Sequence, residues 1–149
     1  MNISLTTTYA IKAMLHIVRV EKDNYIKGAE IAEKQKIPKI YLFKVMNNLQ
    51  LAGIVKSKRG AQGGYFLAKK ADQITLLDIF RATDSFLTPS ICLLGNKDCG
   101  GITECNLHNA WAKANEEIND ILNGFTLKML KERKNLNEFG LNEKVNISK

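Results

Sequence analysis

The stretch from Gly53 to Ala68 constrains this chain more than any other. Up to Gly53 the apolar residues recur at helical spacing; after it the period changes. Ile54-Val55-Lys56-Ser57-Lys58-Arg59 reads as a strand, Gly60-Ala61-Gln62-Gly63-Gly64 as a turn, and Tyr65-Phe66-Leu67-Ala68 as a returning strand. Three glycines in that turn are able to take the positive φ values that a tight reversal uses. A glycine-tipped hairpin is therefore expected directly after a run of helices.

Those helices are legible one by one. Residues 6–20 place Tyr9, Ala10, Ala13, Met14 and Ile17 at steps of three and four, the mark of an amphipathic helix. Asp23-Asn24 breaks it. Lys27-Gly28 opens a short helix with Ala29, Ile31 and Ala32 inward, ending near Lys36. Pro38 punctuates the turn and can start the next helix, 39–52, which Gly53 stops. In that helix Ile40, Leu42, Phe43, Val45, Met46 and Leu49 read as the apolar set, leaving Lys39, Tyr41, Lys44 and Asn47 for the outer face. A further helix is expected at about 75–84.

The second half is organised differently. Residues 85–104 lack a period and contain Pro89, Gly95, Gly100 and Gly101. Residues 106–134 read as one long helix, roughly 40 Å at 1.5 Å per residue. Leu107, Trp111, Ala114, Ile118, Ile121 and Phe125 form a coiled-coil-like seam along it, which Gly124 weakens locally. The tail from Asn135 is polar and is expected to fray. The expected fold is mainly α with a small β-hairpin wing. Its parts are a winged helix-turn-helix over 1–84, a loop over 85–105, a dimerisation helix over 106–134 and a flexible tail over 135–149.

Composition supports a single ordinary globular chain. Of 149 residues, 45% are apolar and 25% charged, which argues against a disordered, collagen-like or disulfide-rich protein. No apolar run approaches the roughly 20 residues that span a bilayer. The start has no basic segment followed by an apolar one, so a cytoplasmic protein without membrane partners is expected.

The net charge of +7 is unevenly placed. Residues 1–70 hold 13 Lys/Arg against 4 Asp/Glu, a balance of +9; residues 71–149 hold 9 against 11, a balance of −2. A basic half joined to this helix order points to a polyanion, nucleic acid before anionic membrane. A major groove about 12 Å wide admits one helix, and the outer face of 39–50 carries groups suited to it. Lys56, Lys58 and Arg59 line the first strand of the hairpin, and Lys69 and Lys70 close the second. Such a wing reaches a phosphate backbone, where charge gives affinity and little sequence information. The plain alternative for any charge run is a solvated face.

All three cysteines, Cys92, Cys99 and Cys105, fall in one loop, with His108 one helical turn later. In a reducing compartment, clustered thiols bind metal or do redox chemistry more often than they form disulfides. Three thiolates and an imidazole suit an iron–sulfur cluster, and the same four groups suit tetrahedral zinc. Ordinary thiols in a loop remain the bland reading. His16, in the first helix, reads as a packing or surface residue.

At this point the residues resemble a family. Tyr9-Ala10, the Ala29–Ala32 helix, Tyr41-Leu42, Leu49–Val55 and above all Gly63-Gly64-Tyr65-Phe66-Leu67-Ala68 resemble the bacterial IscR/NsrR/CymR regulators. The resemblance covers about residues 1–134. It implies a dimeric winged-helix transcription factor that binds a pseudo-palindromic double-stranded DNA operator as a homodimer. It also implies an iron–sulfur cluster on Cys92, Cys99 and Cys105, with His108 similar to the histidine of IscR-like members. A 2Fe–2S cluster is favoured if His108 is a ligand; a 4Fe–4S cluster is the other option. Members that use an acidic residue early in the first helix differ from this chain, which has Thr8 and Lys12 there. Many members carry an acidic residue after Tyr-Leu in the recognition helix, where this chain has Phe43. The competing expectation is a cluster-free regulator of the same fold, controlled by a metabolic enzyme or a small ligand. An electron carrier or thiol redox enzyme is disfavoured, because no C-x-x-C pair and no cofactor fingerprint are present.

Overall fold

The computed structural model of the chain describes residues 3–20, 25–83 and 105–132. Six α-helices and one two-stranded sheet occupy them: α1 (Leu5–Val20), α2 (Gly28–Lys34), α3 (Lys39–Leu51), β1 (Val55–Lys58), β2 (Gly64–Leu67), α4 (Leu76–Thr83), α5 (Asn106–Asn123) and α6 (Leu127–Glu132). A 3-10 turn, Ala71–Gln73, joins the sheet to α4. The mainly helical architecture with a hairpin wing agrees with the expectation. Cys92, Cys99, most of the 85–105 loop and the tail from Asn135 lie outside the described residues.

Local chemistry sets the helix ends. Ser4 caps α1, its hydroxyl accepting a hydrogen bond from the Thr7 amide at 3.2 Å. Thr75 and Asp78 bond reciprocally, at 2.9 and 3.2 Å, in a capping box at the start of α4. α3 ends in a Schellman turn: Ile54 N–H donates to Leu49 O at 2.9 Å and Gly53 N–H to Gln50 O at 3.0 Å, with Gly53 at φ 69°. α2 ends the same way, Ile37 N–H donating to Ala32 O and Lys36 N–H to Glu33 O, but the residue at φ 52° is Lys36.

The core lies where α1, α3 and α4 meet. Met14, Val18, Leu42, Val45, Met46, Leu49, Ile74 and Ile79 are all fully buried there. The hairpin is antiparallel, pairing Val55 with Leu67, Lys56 with Phe66, Ser57 with Tyr65 and Lys58 with Gly64. It is tied to the helices by a bridge between Ile26 and Tyr65, whose backbones exchange hydrogen bonds of 2.9 and 2.8 Å. Gly64 sits against that bridge; a Cβ there would stand 2.4 Å from the Ile26 carbonyl oxygen.

Two expectations are corrected. Ile40 and Phe43 do not join the inward set of α3; they are 83% and 61% exposed. The side that α3 turns to the core is the one carrying Leu42, Val45, Met46 and Leu49, and at about 100° per residue Ile40 points away from it while Phe43 stands at its flank. Nor is the segment from 106 to 134 one helix. α5 stops at Asn123, and Thr126 caps a new helix by accepting a hydrogen bond from Met129 N–H at 3.3 Å. Gly124 lowers helix propensity at the break. The intervening chain pairs with the head: Leu76 N–H donates to Phe125 O at 2.8 Å, and Leu127 N–H to Ile74 O at 2.9 Å. The Leu127 side chain is fully buried in the head's core. α6 therefore packs on the head, against α1.

Candidate nucleic-acid interface

α2, the turn at 35–38 and α3 form the helix-turn-helix, with the wing beside α3. α3 contains no acidic residue. Lys39, Lys44 and Asn47 stand exposed on it, and Lys56, Lys58 and Arg59 stand exposed on the wing. A cleft of about 660 Å³ separates the two elements, walled by Lys27, Phe43, Lys58, Arg59 and Tyr65 among others. Of the sequence-predicted residues, Lys58 and Arg59 of the wing line this cleft, which α3 enters through Phe43; Lys56 lines a second cleft with Tyr25 and Phe66.

Two of the named residues are less free than their exposure implies. The Tyr41 ring lies 6.1 Å from that of Tyr9 on α1, tilted by 57°, so its position is fixed by the core side of the head. The Lys58 ammonium stands 5.5 Å from the centre of the Tyr25 ring, within cation–π range. Tyr25 in turn meets Phe66 edge to face at 4.8 Å. Cross-strand pairing explains this face of the wing, because Lys56 and Phe66 are opposite and Lys58 is two residues along. The other face carries Tyr65, whose ring packs over Gly28; a Cβ at Gly28 would stand 3.2 Å from it. Burial holds the Tyr65 hydroxyl above its ordinary pKa.

Lys27, Tyr25, Ile40 and Phe43 are surface residues of this region that the pattern of the sequence did not single out. Lys27 carried a signal, a lone cation at the start of a helix that faces the hairpin. Phe43 carried a misleading one, since helical spacing alone assigned it to the core.

Of the four metal-ligand candidates, Cys105 and His108 are described. Cys105 is the residue before α5 and His108 lies in its first turn; both are partly exposed. Spacing of three puts them on one side of that turn. Among the described residues no group of three or more His, Cys, Asp or Glu side chains is gathered as a metal site. His16 is held between α1 and α2, with Nδ1 3.3 Å from Gln35 Nε2 and Nε2 3.4 Å from Glu30 Oε1 without hydrogen-bond geometry. That is the packing role expected of it. No helix among the described residues is long and apolar enough to cross a membrane.

Helix-turn-helix and wing, with exposed basic residues on both, define a winged-helix DNA-binding protein. Comparison with known proteins gives the family. Residues 3–133 match the Rrf2 family, described as iron-dependent transcriptional regulators, and the chain belongs to it. It is 36% identical over 119 residues to the HTH-type transcriptional regulator IscR of Vibrio campbellii, covering 80% of this chain and 70% of that one. Among solved structures it is similar to CymR, the global cysteine regulator of B. subtilis, with a TM-score of 0.70, 26% identity, and coverage of 88% and 96%. It is likewise similar to T. potens IscR, with a TM-score of 0.67, 28% identity, and coverage of 87% and 85%. The chain is a transcriptional regulator rather than an enzyme.

Proposed function

We propose that the protein is a cytoplasmic, homodimeric regulator that binds a pseudo-palindromic DNA operator and whose binding is set by an iron–sulfur cluster. The observation that carries the DNA half is an acid-free α3 with Lys39, Lys44 and Asn47 exposed, beside a wing whose Lys58 and Arg59 share a cleft with Phe43 of α3. In this reading α3 enters the major groove, with Lys39, Tyr41, Lys44 and Asn47 towards it. Lys56, Lys58 and Arg59 hold the flanking phosphates. The test is duplex binding across a salt series. Affinity should fall steeply as counterions are released, and a flat response would remove the assignment.

The cluster half rests on the chemistry of the donors. Cys92, Cys99 and Cys105 would hold the cluster as thiolates, and His108 would complete it as a neutral imidazole. The described pair fits, since Cys105 and His108 are partly exposed on one side of the first turn of α5. A bound cluster supplies a group whose charge and integrity change with redox state, nitric oxide or iron supply. The chain supplies the transmission. α5 begins at the ligands and ends at Asn123, two residues before Phe125–Leu127, which is hydrogen-bonded into the head beside α4. A shift of the α5 start is therefore carried to an anchored end. Anaerobic reconstitution followed by iron and sulfide counting tests this. Zinc without sulfide would make the site a structural clip. Uptake of neither would favour the cluster-free regulator governed by a metabolic enzyme or small ligand.

A further inference from the structure

We propose that Ile40 and Phe43 read thymine, by packing against its 5-methyl group in the major groove. This rests on the DNA-binding reading above and adds which base the helix selects. Ile40 is 83% exposed and Phe43 61% exposed, one turn apart on the outer face of α3. Single exposed apolar residues are ordinary; two side by side in the first two turns of a reading helix are placed where base contacts are made. Lys39 and Lys44 flank them on the same helix, and Phe43 walls the cleft that also holds Lys58 and Arg59.

That charge pattern selects the occupant. An apolar pair ringed by cations, in a half of the chain with a balance of +9, suits the interior of a polyanion's groove. It suits an apolar protein partner poorly. Neither side chain can donate or accept a hydrogen bond, so neither distinguishes bases by the groove's donor and acceptor code. The apolar group that code displays in the major groove is the thymine methyl. Tyr41 does not share this role equally, because its ring is engaged with Tyr9.

The experiment selects duplexes from a random-sequence pool with the full chain, reconstituted anaerobically and, in parallel, as the apoprotein. Each thymine of the selected duplex is then replaced by deoxyuridine, which removes the methyl and keeps the pairing. Substitution at one or two positions per half-site should weaken binding about fourfold each, the equivalent of exposing one buried CH2 group. In Phe43→Ala or Ile40→Ala that penalty should vanish at the matching position, while circular dichroism stays that of the wild type. If a sequence is selected but uracil and thymine duplexes bind alike, the helix reads DNA by other means and the methyl proposal is overturned. It is equally overturned if Phe43→Ala lowers affinity for both duplexes by the same factor, or if it changes self-association and leaves DNA binding intact. If no duplex is enriched in either form and binding ignores salt, the DNA-binding reading itself fails.

Discussion

α3 and α5 are both amphipathic by sequence, yet they meet opposite fates in the single chain. α3 buries Leu42, Val45, Met46 and Leu49 completely, and its exposed side is nearly all available to a groove. In α5 the buried residue is Asn115, and neither of its amide atoms has a hydrogen-bond partner among the described residues. Of its apolar side chains, Ile121 is 61% and Leu107 43% exposed, while Trp111, Ile118 and Leu122 are half-buried. A helix that buries a polar group and leaves Leu107 and Ile121 exposed gains less from the described residues than α3 does. The head's core is closed among the described residues, whereas α5 keeps exposed apolar side chains, the face on which the proposed dimer would be built.

The largest effects should separate the two regions. Met46→Ala in α3 should cost about 2–5 kcal/mol, as truncation of a fully buried side chain does. Leu127→Ala should fall in the same range although it lies beyond α5, because its side chain is in the same core. Chemical denaturation measures both. A loss of under about 0.5 kcal/mol at Leu127, the range of an ordinary surface change, would detach α6 from the head.

Next in size is the association of copies. Ile121→Asp places a charge on the exposed face of α5 and should weaken dimerisation at least about tenfold, or about 1.4 kcal/mol. Sedimentation equilibrium reads the effect, and the helical signal should stay unchanged. A variant that dimerises like the wild type would show that the partner surface lies elsewhere.

How much of this the sequence could tell depends on whether a rule is local. The hairpin, the order of the head helices and the stop at Gly53 follow from glycine placement and period, and they were legible. The equivalent stop after α2 was not as plain, because Lys36 occupies the left-handed position that Gly53 fills after α3. The break after Asn123 was half visible. Gly124 marked a weakness, but only the pairing of Thr75 with Thr126 shows that the chain turns there to seal the core. Ile40 and Phe43 were misassigned for different reasons. Helical period already turns Ile40 away from the stripe of Leu42, Val45, Met46 and Leu49, and its apolar character overrode that; Phe43 stands at the stripe's flank, where burial depends on what packs against it.

Asn115 offers a smaller and more discriminating test. A buried amide without partners costs about 1–3 kcal/mol in desolvation, whereas an apolar side chain of similar volume carries no such cost. Asn115→Leu should therefore stabilise the protein by about 1 kcal/mol. Thermal or urea unfolding at fixed protein concentration measures it, so that the contribution of the proposed dimer stays constant. Destabilisation instead would show that the amide is satisfied in the assembled protein. α5 would then be completed through hydrogen bonds and not through apolar contact alone.

The smallest expected effect is on pH, and it belongs to the head. Burial raises the Tyr65 pKa in the folded protein above its ordinary value of 10.0. A neutral phenol is therefore favoured by folding. The resulting stability is fully present below the unfolded value. It declines as pH rises from there through the folded value, because the unfolded chain loses its proton first. Tyr65 joins the wing to the helices through Ile26 and packs over Gly28, so the weakening should appear first in the wing. Backbone amides of β1 and β2 exchange too fast at such pH to follow directly. The readout is the slope of unfolding free energy against pH above 10, compared between wild type and Tyr65→Phe. The wild type should fall more steeply, and the phenylalanine variant should lose that share of the slope. Parallel slopes would mean that the phenol keeps its solvent contact and that the wing packs more loosely on α2 than its ring geometry shows.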